Sequence, residues 1–236
     1  MHVHLLYGVD DGPKHVETSI QMLKMASEQG ITEIIITPHA FHPSYDVRPN
    51  TIKRLVPELA AITKQLNINI QLHTGQEIRL HENLIEHIHS GEALTLANSR
   101  YLLLEMPSYT VPLFSFQMIE SIVHDGFIPI IAHPERNIAI ISDPHILQRL
   151  IKLGAYAQVN ADSLLGIYGR RVQKIAFQLI KANLIHCYGS DTHNITTRKN
   201  HFWKGLRVLE KKKLSTIVEV LLNNNHCILA DEPFSL

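Results

Sequence analysis

The sequence predicts an α/β chain of parallel strands joined by helical crossovers. Short runs rich in β-branched residues and Leu alternate with amphipathic helical patterns along its length. Each helical pattern runs into a Gly, Asn or polar break before the next apolar run. The length, 236 residues, falls within the range that one α/β barrel occupies undivided, so one domain over residues 1–236 is expected. A barrel and an open doubly wound sheet satisfy this alternation equally.

The elements follow in order. "HVHL" at 2–5 opens the chain as a first strand. "ETSIQMLKMASEQG" turns Ile20, Leu23, Met25 and Ala26 to one side and closes on Gly30, a C-terminal cap signal. "EIIIT" at 33–37, "INIQLH" at 68–73, "YLLLE" at 101–105, "FIPIIAH" at 127–133, "AYAQVN" at 155–160 and "LIHCYGS" at 184–190 read as buried strands. Helical patterns cover about 51–66, 81–90, 113–126, 144–154, 168–183 and 200–223, giving about seven strand–helix units. "KKK" at 211–213 reads as a solvated helix face and "NNN" at 223–225 as a turn.

Composition narrows the function class. Lys plus Arg and Asp plus Glu each total 22, so no chain-wide basic field points to nucleic acid or an anionic membrane. No run reaches the roughly eighteen apolar residues of a membrane span, and no basic-then-apolar leader opens the chain, so the cytoplasm is the expected location. Cys187 and Cys227 are too few for a disulfide framework.

Polar residues recur where the predicted strands end. "IIITPHA" delivers His39, "LHTGQEIR" Glu77, "YLLLEMP" Glu105, "IIAHPER" His133 and Arg136, and "HCYGSDTH" Asp191 and His193. In an α/β barrel those ends converge on one mouth. His2 and His4 project from one face of their strand and are placed to grip one ion together. A carboxylate directly after Leu102, Leu103 and Leu104 needs a partner or a metal, which makes Glu105 the hardest of the set to explain otherwise. Five His and three carboxylates suit Zn²⁺, Mn²⁺ or Fe²⁺ better than Ca²⁺ or an all-oxygen Mg²⁺ cage. His42 is a weaker candidate through its closeness to His39, and Asp10 and Asp11 also fit a plain Asp-Gly turn.

These residues, in this order, resemble the PHP superfamily of polymerase and histidinol phosphatase domains. "HLLYGVDDGP", "ITPHA", "GQEIR", "IIAHPERN", "LIKANLIHCYGSDTHN" and "TTRKNHF" narrow the resemblance to bacterial tyrosine-protein phosphatases of capsule and exopolysaccharide synthesis, the CpsB/YwqE type. The resemblance implies a distorted TIM-like (β/α)7 barrel and two or three divalent ions, usually Mn²⁺, with Fe or Zn as alternatives. It implies that His2, His4, Glu77 and Asp191 hold one ion, that Glu77 bridges to a second held by Glu105 and His133, and that His39 and His193 hold a third. Arg136 and Arg198 match arginines that bind the phosphoryl group, and Asp11 matches an acid near the leaving oxygen. The implied substrate is a phosphotyrosine protein, the Tyr-rich tail of a bacterial tyrosine kinase. The sequence departs from the family pattern at Ala40, where a second His is usual, and at Met1, which directly precedes His2.

The expected chemistry is hydrolysis without a phosphoenzyme. Histidinol-phosphate phosphatase activity is the principal rival, and a catalytically silent metal-binding kinase regulator is a second. A thiol phosphatase is disfavoured because neither cysteine starts a Cys-x5-Arg motif. "MPSYTVPLFSF" at 106–116 is a rim candidate, with Tyr109 and Phe114 available to stack on a phosphotyrosine ring.

Overall fold

A computed structural model describes residues 1–235. Its eight strands are β1 (Glu33–Ile36), β2 (His39–Ala40), β3 (Gln71–Thr74), β4 (Glu77–Arg79), β5 (Tyr101–Glu105), β6 (Ile128–Ala132), β7 (Tyr156–Asn160) and β8 (Cys187–Gly189). Helices α1 (Val16–Glu28) and α2 (Pro49–Gln65) flank β1 and β2; α3 (Leu84–His89) and α4 (Phe114–His124) flank β5. Then come α5 (Ile138–Ser142), α6 (His145–Lys152), α7 (Ala161–Leu165), α8 (Arg170–Lys181), α9 (Phe202–Lys211) and α10 (Ser215–Ala230).

Every strand pairing is parallel, in one six-stranded sheet ordered β2-β4-β5-β6-β7-β8 and a two-stranded sheet of β1 and β3. The expected strands at 33–37 and 68–73 are each the first half of a broken strand. Pro38, which lacks an N–H, interrupts one run, so β1 pairs with β3 and β2 separately with β4. The expected first strand survives only around Val3, which bridges in parallel to Ile36 on one side and Thr192 on the other. That double bridge closes the ring, giving a distorted α/β barrel with β1/β2 and β3/β4 as bent staves.

Alternation along the staves decides what faces inward. Tyr101 and Leu103 lie on one face of β5 and join Ile130, Ala132, Cys187, Cys227 and Ile228 in an internal apolar cluster. The same parity brings Glu105 inward above them. On the outer face Leu102, Leu104, Ile131, Ala157 and Val159 pack in the main core, which includes Ile119, Leu147, Leu179 and Leu209 of the surrounding helices. A third cluster joins Val3, Leu5 and Ile36 to Met22 and Leu23 of α1 and Ile52, Leu55 and Leu59 of α2. On α1 the fully buried positions are Ser19, Met22, Leu23 and Ala26, with Ile20 and Met25 at the edge.

Two local readings are corrected. "NNN" lies inside α10: Asn224 Nδ2 donates to His186 O at 2.8 Å, while Asn225 accepts from Tyr188 N at 3.1 Å and donates to Tyr188 O at 2.7 Å. These amides satisfy backbone groups at β8 that would otherwise be buried unpaired. "KKK" is a helix end, since Lys211 closes α9 and Lys213 turns left-handed at φ 63° before α10.

Gly205 makes the α7–α9 contact possible. A Cβ there would press on the buried Tyr188 hydroxyl, which donates to Phe202 O at 2.7 Å, and would stand 3.1 Å from Ala161 Cα. Gly→Ala inside a helix ordinarily gains about 1 kcal/mol, but overpacking costs about 1–3 kcal/mol and here meets backbone as well as a fixed ring. Gly205→Ala is expected to lower Tm by roughly 5 °C in a thermal melt.

Candidate metal centre

The parallel register brings the polar strand ends together. His39 pairs with Glu77, and Arg79 with Glu105. Glu77 stands at the centre, with Oε2 3.4 Å from His2 Nε2, 3.2 Å from His4 Nε2 and 3.2 Å from His39 Nδ1, and Oε1 2.7 Å from His133 Nε2. Asp191 Oδ1 faces His2 Nε2 at 3.4 Å, His4 Nε2 at 3.7 Å and His193 Nδ1 at 3.4 Å. Glu105 Oε2 lies 3.9 Å from His39 Nδ1. Asp11 Oδ1 lies 3.1 Å from His193 Nε2 and 3.5 Å from His39 Nε2. All eight expected ligand positions therefore meet at one end of the barrel, with Asp11 among them. His2, His133 and Asp191 reach their places from left-handed backbone, at φ 62°, 33° and 51°. Such conformations cost about 1–3 kcal/mol each in non-glycine residues and are held only by a surrounding framework.

Both arginines converge on the other oxygen of Asp191. Arg136 Nη1 donates to Asp191 Oδ2 at 2.7 Å and Arg198 Nη2 at 3.0 Å; Arg198 Nη1 also donates to Asp11 Oδ2 at 3.1 Å. The Arg136 guanidinium carbon lies over the Tyr168 ring, 4.6 Å from its centroid.

Electrostatics show a site that calls for positive charge. Burial alone would raise Glu77 and Asp191, yet neighbouring imidazoles, and for Asp191 the two arginines, hold both well below the usual carboxylate range. Burial opposes protonation of His4, but Asp10 and Glu77 raise it well above an ordinary histidine. Burial, helped by the charge on Glu77, pushes Glu105 up to about 8, and burial with neighbouring His4 pushes His39 down to about 4. Asp11 is lowered despite burial, through His193, His4 and His39.

The donor set fits metal cations. His2 Nδ1 bonds Gln158 Oε1 at 2.7 Å and His4 Nδ1 bonds Asp10 Oδ2 at 2.8 Å, so each ring donates outward and turns Nε2 toward the carboxylates. Neutral rings in that arrangement set lone pairs against each other and against Glu77, a contact that a shared cation relieves. The spacing of 3.2–3.7 Å among these atoms matches roughly 3.4 Å expected between ligands bound at about 2.1 Å around one tetrahedral ion. Asp11 Oδ1, His39 Nδ1, Glu105 Oε2 and His193 Nε2 are buried and make no well-formed hydrogen bond, their near polar neighbours being each other, Glu77 and the Arg79 guanidinium. Four combinations of these side chains bring three or four donors within metal-binding reach: His4, Asp11, His39 and His193; His2, His4 and Glu77; His2, His133 and Asp191; His39, Glu77 and Glu105.

Of the other participants, His42 and Asp10 carried only a weak signal in the sequence, and Arg79 and Tyr45 none. Asp10 takes the orienting role beside His4, and its Oδ1 also accepts from Gly12 N at 2.9 Å. Arg79 Nη2 stands 3.0 Å from Glu105 Oε2. His42 and Tyr45 line the mouth, stacked with His39 at centroid distances of 4.7 and 5.8 Å. Of the two rim aromatics, Tyr109 is 78% exposed, whereas Phe114 opens α4 and packs on the main core. Cys187 and Cys227 are free and buried, and burial raises both thiols, so neither offers a thiolate. A separate cavity of about 270 Å³, lined by residues including Leu5, Met22, Ile34, Phe202 and Leu229, shares none of these donors.

The family model for capsular polysaccharide synthesis, CpsB/CapC, matches residues 1–230. The chain belongs to the CpsB/CapC family. Among CpsB/CapC relatives, CapC of Staphylococcus aureus is 37% identical over 238 residues, covering 100% of this chain and 92% of its own length. Tyrosine-protein phosphatase YwqE of Bacillus subtilis is 34% identical over 232 residues, covering 98% and 91%. A solved chain among the crystal structures of YwqE from B. subtilis and CpsB from Streptococcus pneumoniae, described as metal-dependent tyrosine phosphatases, superposes with a TM-score of 0.96. That chain is 34% identical, and the match covers 99% of this chain and 95% of that one.

Proposed function

We propose that this CpsB/CapC chain is a metal-dependent protein-tyrosine phosphatase. The observation that carries the reading is the convergence of buried imidazole and carboxylate atoms, spaced 3.2–3.7 Å apart, beneath two arginines. His2, His4, Glu77 and Asp191 would hold one ion, Glu77 with Glu105 and His133 a second, and His39 with His193 a third, with Mn²⁺ the expected metal. When bound, such cations lower the pKa of water and neutralise charge on the phosphoryl group.

The chain's own groups account for binding and orientation. Arg136 and Arg198 each hold Asp191 through one N–H and keep others for phosphoryl oxygens, and Arg198 Nε is buried without a partner. Tyr168 backs the Arg136 guanidinium with its ring face, a cation–π contact. Asp11, held ionised beside His193, suits a ligand of the third ion better than a proton donor to the leaving oxygen. A site without that acid favours a phenol leaving group, with a pKa near about 10, over an alkyl alcohol. The mouth cavity, about 180 Å³, lies below the roughly 300–1,000 Å³ of small-molecule pockets, so it accommodates a phosphoryl group and leaves most of a substrate outside. His42 and Tyr45 offer stacking faces for the phosphotyrosine ring at the mouth. The proposed substrate is the Tyr-rich tail of a cytoplasmic bacterial tyrosine kinase. Among the described residues no helix is long and apolar enough to cross a membrane.

The test compares hydrolysis of a phosphotyrosine peptide and histidinol phosphate by the Mn²⁺-loaded protein, with and without chelator. The peptide should be preferred at least tenfold in kcat/KM, with activity lost on chelation and restored by Mn²⁺. Preference for histidinol phosphate, chelator-resistant turnover, or a fully loaded but inactive protein would overturn the assignment.

A further inference from the structure

Strand β7 carries two buried amides, Gln158 and Asn160, that lie on one face and touch both ends of the first proposed ion site. His2 Nδ1 is 2.7 Å from Gln158 Oε1, Gln158 Nε2 donates to Asn160 Oδ1, and Asn160 Nδ2 donates to Asp191 Oδ2 at 2.8 Å. The direction of this chain is forced. An ionised Asp191 only accepts, so Asn160 must present its NH₂ there and its oxygen to Gln158. Gln158 must then present its NH₂ to Asn160 and its oxygen to His2. A carboxylate two side chains away thereby dictates that His2 carries its proton on Nδ1 and offers Nε2 to the ion.

A second feature makes room for the chain. On β8, a Cβ at Gly189 would stand 2.6 Å from Gln158 Nε2 and 2.7 Å from its Cδ, so glycine here leaves space for the amide. The contrast with His4 is informative. Its Nδ1 is oriented by a carboxylate, Asp10, which adds negative charge, whereas the β7 amides orient His2 with no net charge. Asp191 Oδ2 already receives both arginines, so the same oxygen ties the amide chain to the phosphoryl-binding groups.

We infer that Gln158 and Asn160 are positioning residues, a one-way hydrogen-bond relay that sets the His2 tautomer and the Asp191 rotamer and so holds two ligands of one ion in register. The inference rests on the metal-dependent reading of the site. Outer partners of metal ligands typically change affinity about 10–100-fold when removed.

The test uses the full-length chain with Zn²⁺ as a diamagnetic probe, reading affinity by chelator competition and the His2 tautomer by ¹⁵N NMR with and without Zn²⁺. Gln158→Met, close in shape but unable to join the relay, should weaken Zn²⁺ binding about 10–100-fold and release the His2 proton from Nδ1. Gln158→Glu still accepts from His2 and should keep the Nδ1 proton, while losing the donation to Asn160 and part of the affinity. Gly189→Ala, which alters no ligand, should act like Gln158→Met by displacing the amide, and it supplies the same readouts if Gln158→Met does not fold. Wild-type affinity and an unchanged His2 tautomer in the folded variants would overturn the relay. Failure of the wild type to bind Zn²⁺ or Mn²⁺ would instead overturn the metal reading, and the metal-free NMR spectra would still decide the relay.

Discussion

Glu77→Gln is expected to lower kcat/KM by about a thousandfold or more and to empty the metal site. One oxygen of Glu77 faces three imidazole nitrogens at 3.2–3.4 Å and the other bonds a fourth at 2.7 Å, so the carboxylate is shared by every part of the cluster. An amide removes the shared negative charge and sets an N–H against atoms arranged to meet a cation. Loss of a bound cation forfeits several kcal/mol of charge stabilisation, and about 4 kcal/mol corresponds to roughly a thousandfold in rate. Without metal, Glu77 still interacts favourably with His2 and His133, which hold its carboxyl well below the usual range, so its loss also costs stability even though it relieves repulsion with Glu105. The metal-free variant should therefore melt below the metal-free wild type. Metal analysis, kcat/KM and a thermal melt with chelator check the three parts. A fully loaded variant keeping more than a tenth of wild-type turnover would refute the central role of Glu77.

Arg136→Lys and Arg198→Lys should each lower kcat/KM about a hundredfold while leaving the metal content near wild type. Lysine keeps the charge but loses the planar fork that can hold Asp191 and a phosphoryl oxygen together. Removal of one preorganised donor from a charge-developing centre typically costs about 10²–10³ in rate. Arg198→Lys should be the more severe, because it also releases Asp11 from its 3.1 Å contact. Kinetics and metal analysis on the same preparation separate this outcome from that at Glu77. Wild-type kcat/KM in both variants would remove the arginines from the phosphoryl site.

Much of this arrangement was legible in the sequence because it depends on strand ends, and strand ends are marked where apolar runs stop. His39, Glu105, His133 and Asp191 stand close to such stops, so predicting parallel strands also predicted their convergence. What stayed hidden depends on backbone direction. Nothing in the letters shows that His2, His133 and Asp191 adopt left-handed φ, or that Pro38 splits a stave so that His39 pairs with Glu77. Asp10 and Asp11 likewise look alike in the sequence but part in the fold, where a tight loop points one carboxylate beneath His4 and the other toward His193. Gln158 and Asn160 were overlooked because amides two apart in a strand look like ordinary polar positions until their partners are known. The "NNN" run failed for the converse reason: turn propensity yielded to backbone groups in β8 that needed those amides.

The barrel's closure has a mechanical consequence. Its seam is a single residue, Val3, whose neighbours His2 and His4 carry hydrogen bonds to Asp191 and Thr192 across one edge, while Val3 itself bonds Thr37 across the other. Ions gripped by both histidines together with Glu77 and Asp191 would rivet this seam, joining opposite margins of the cylinder at its least-stitched line. Catalytic readiness and hoop strength would then have a common source, and the opening first stave would be the part of the wall whose fraying unloads the centre.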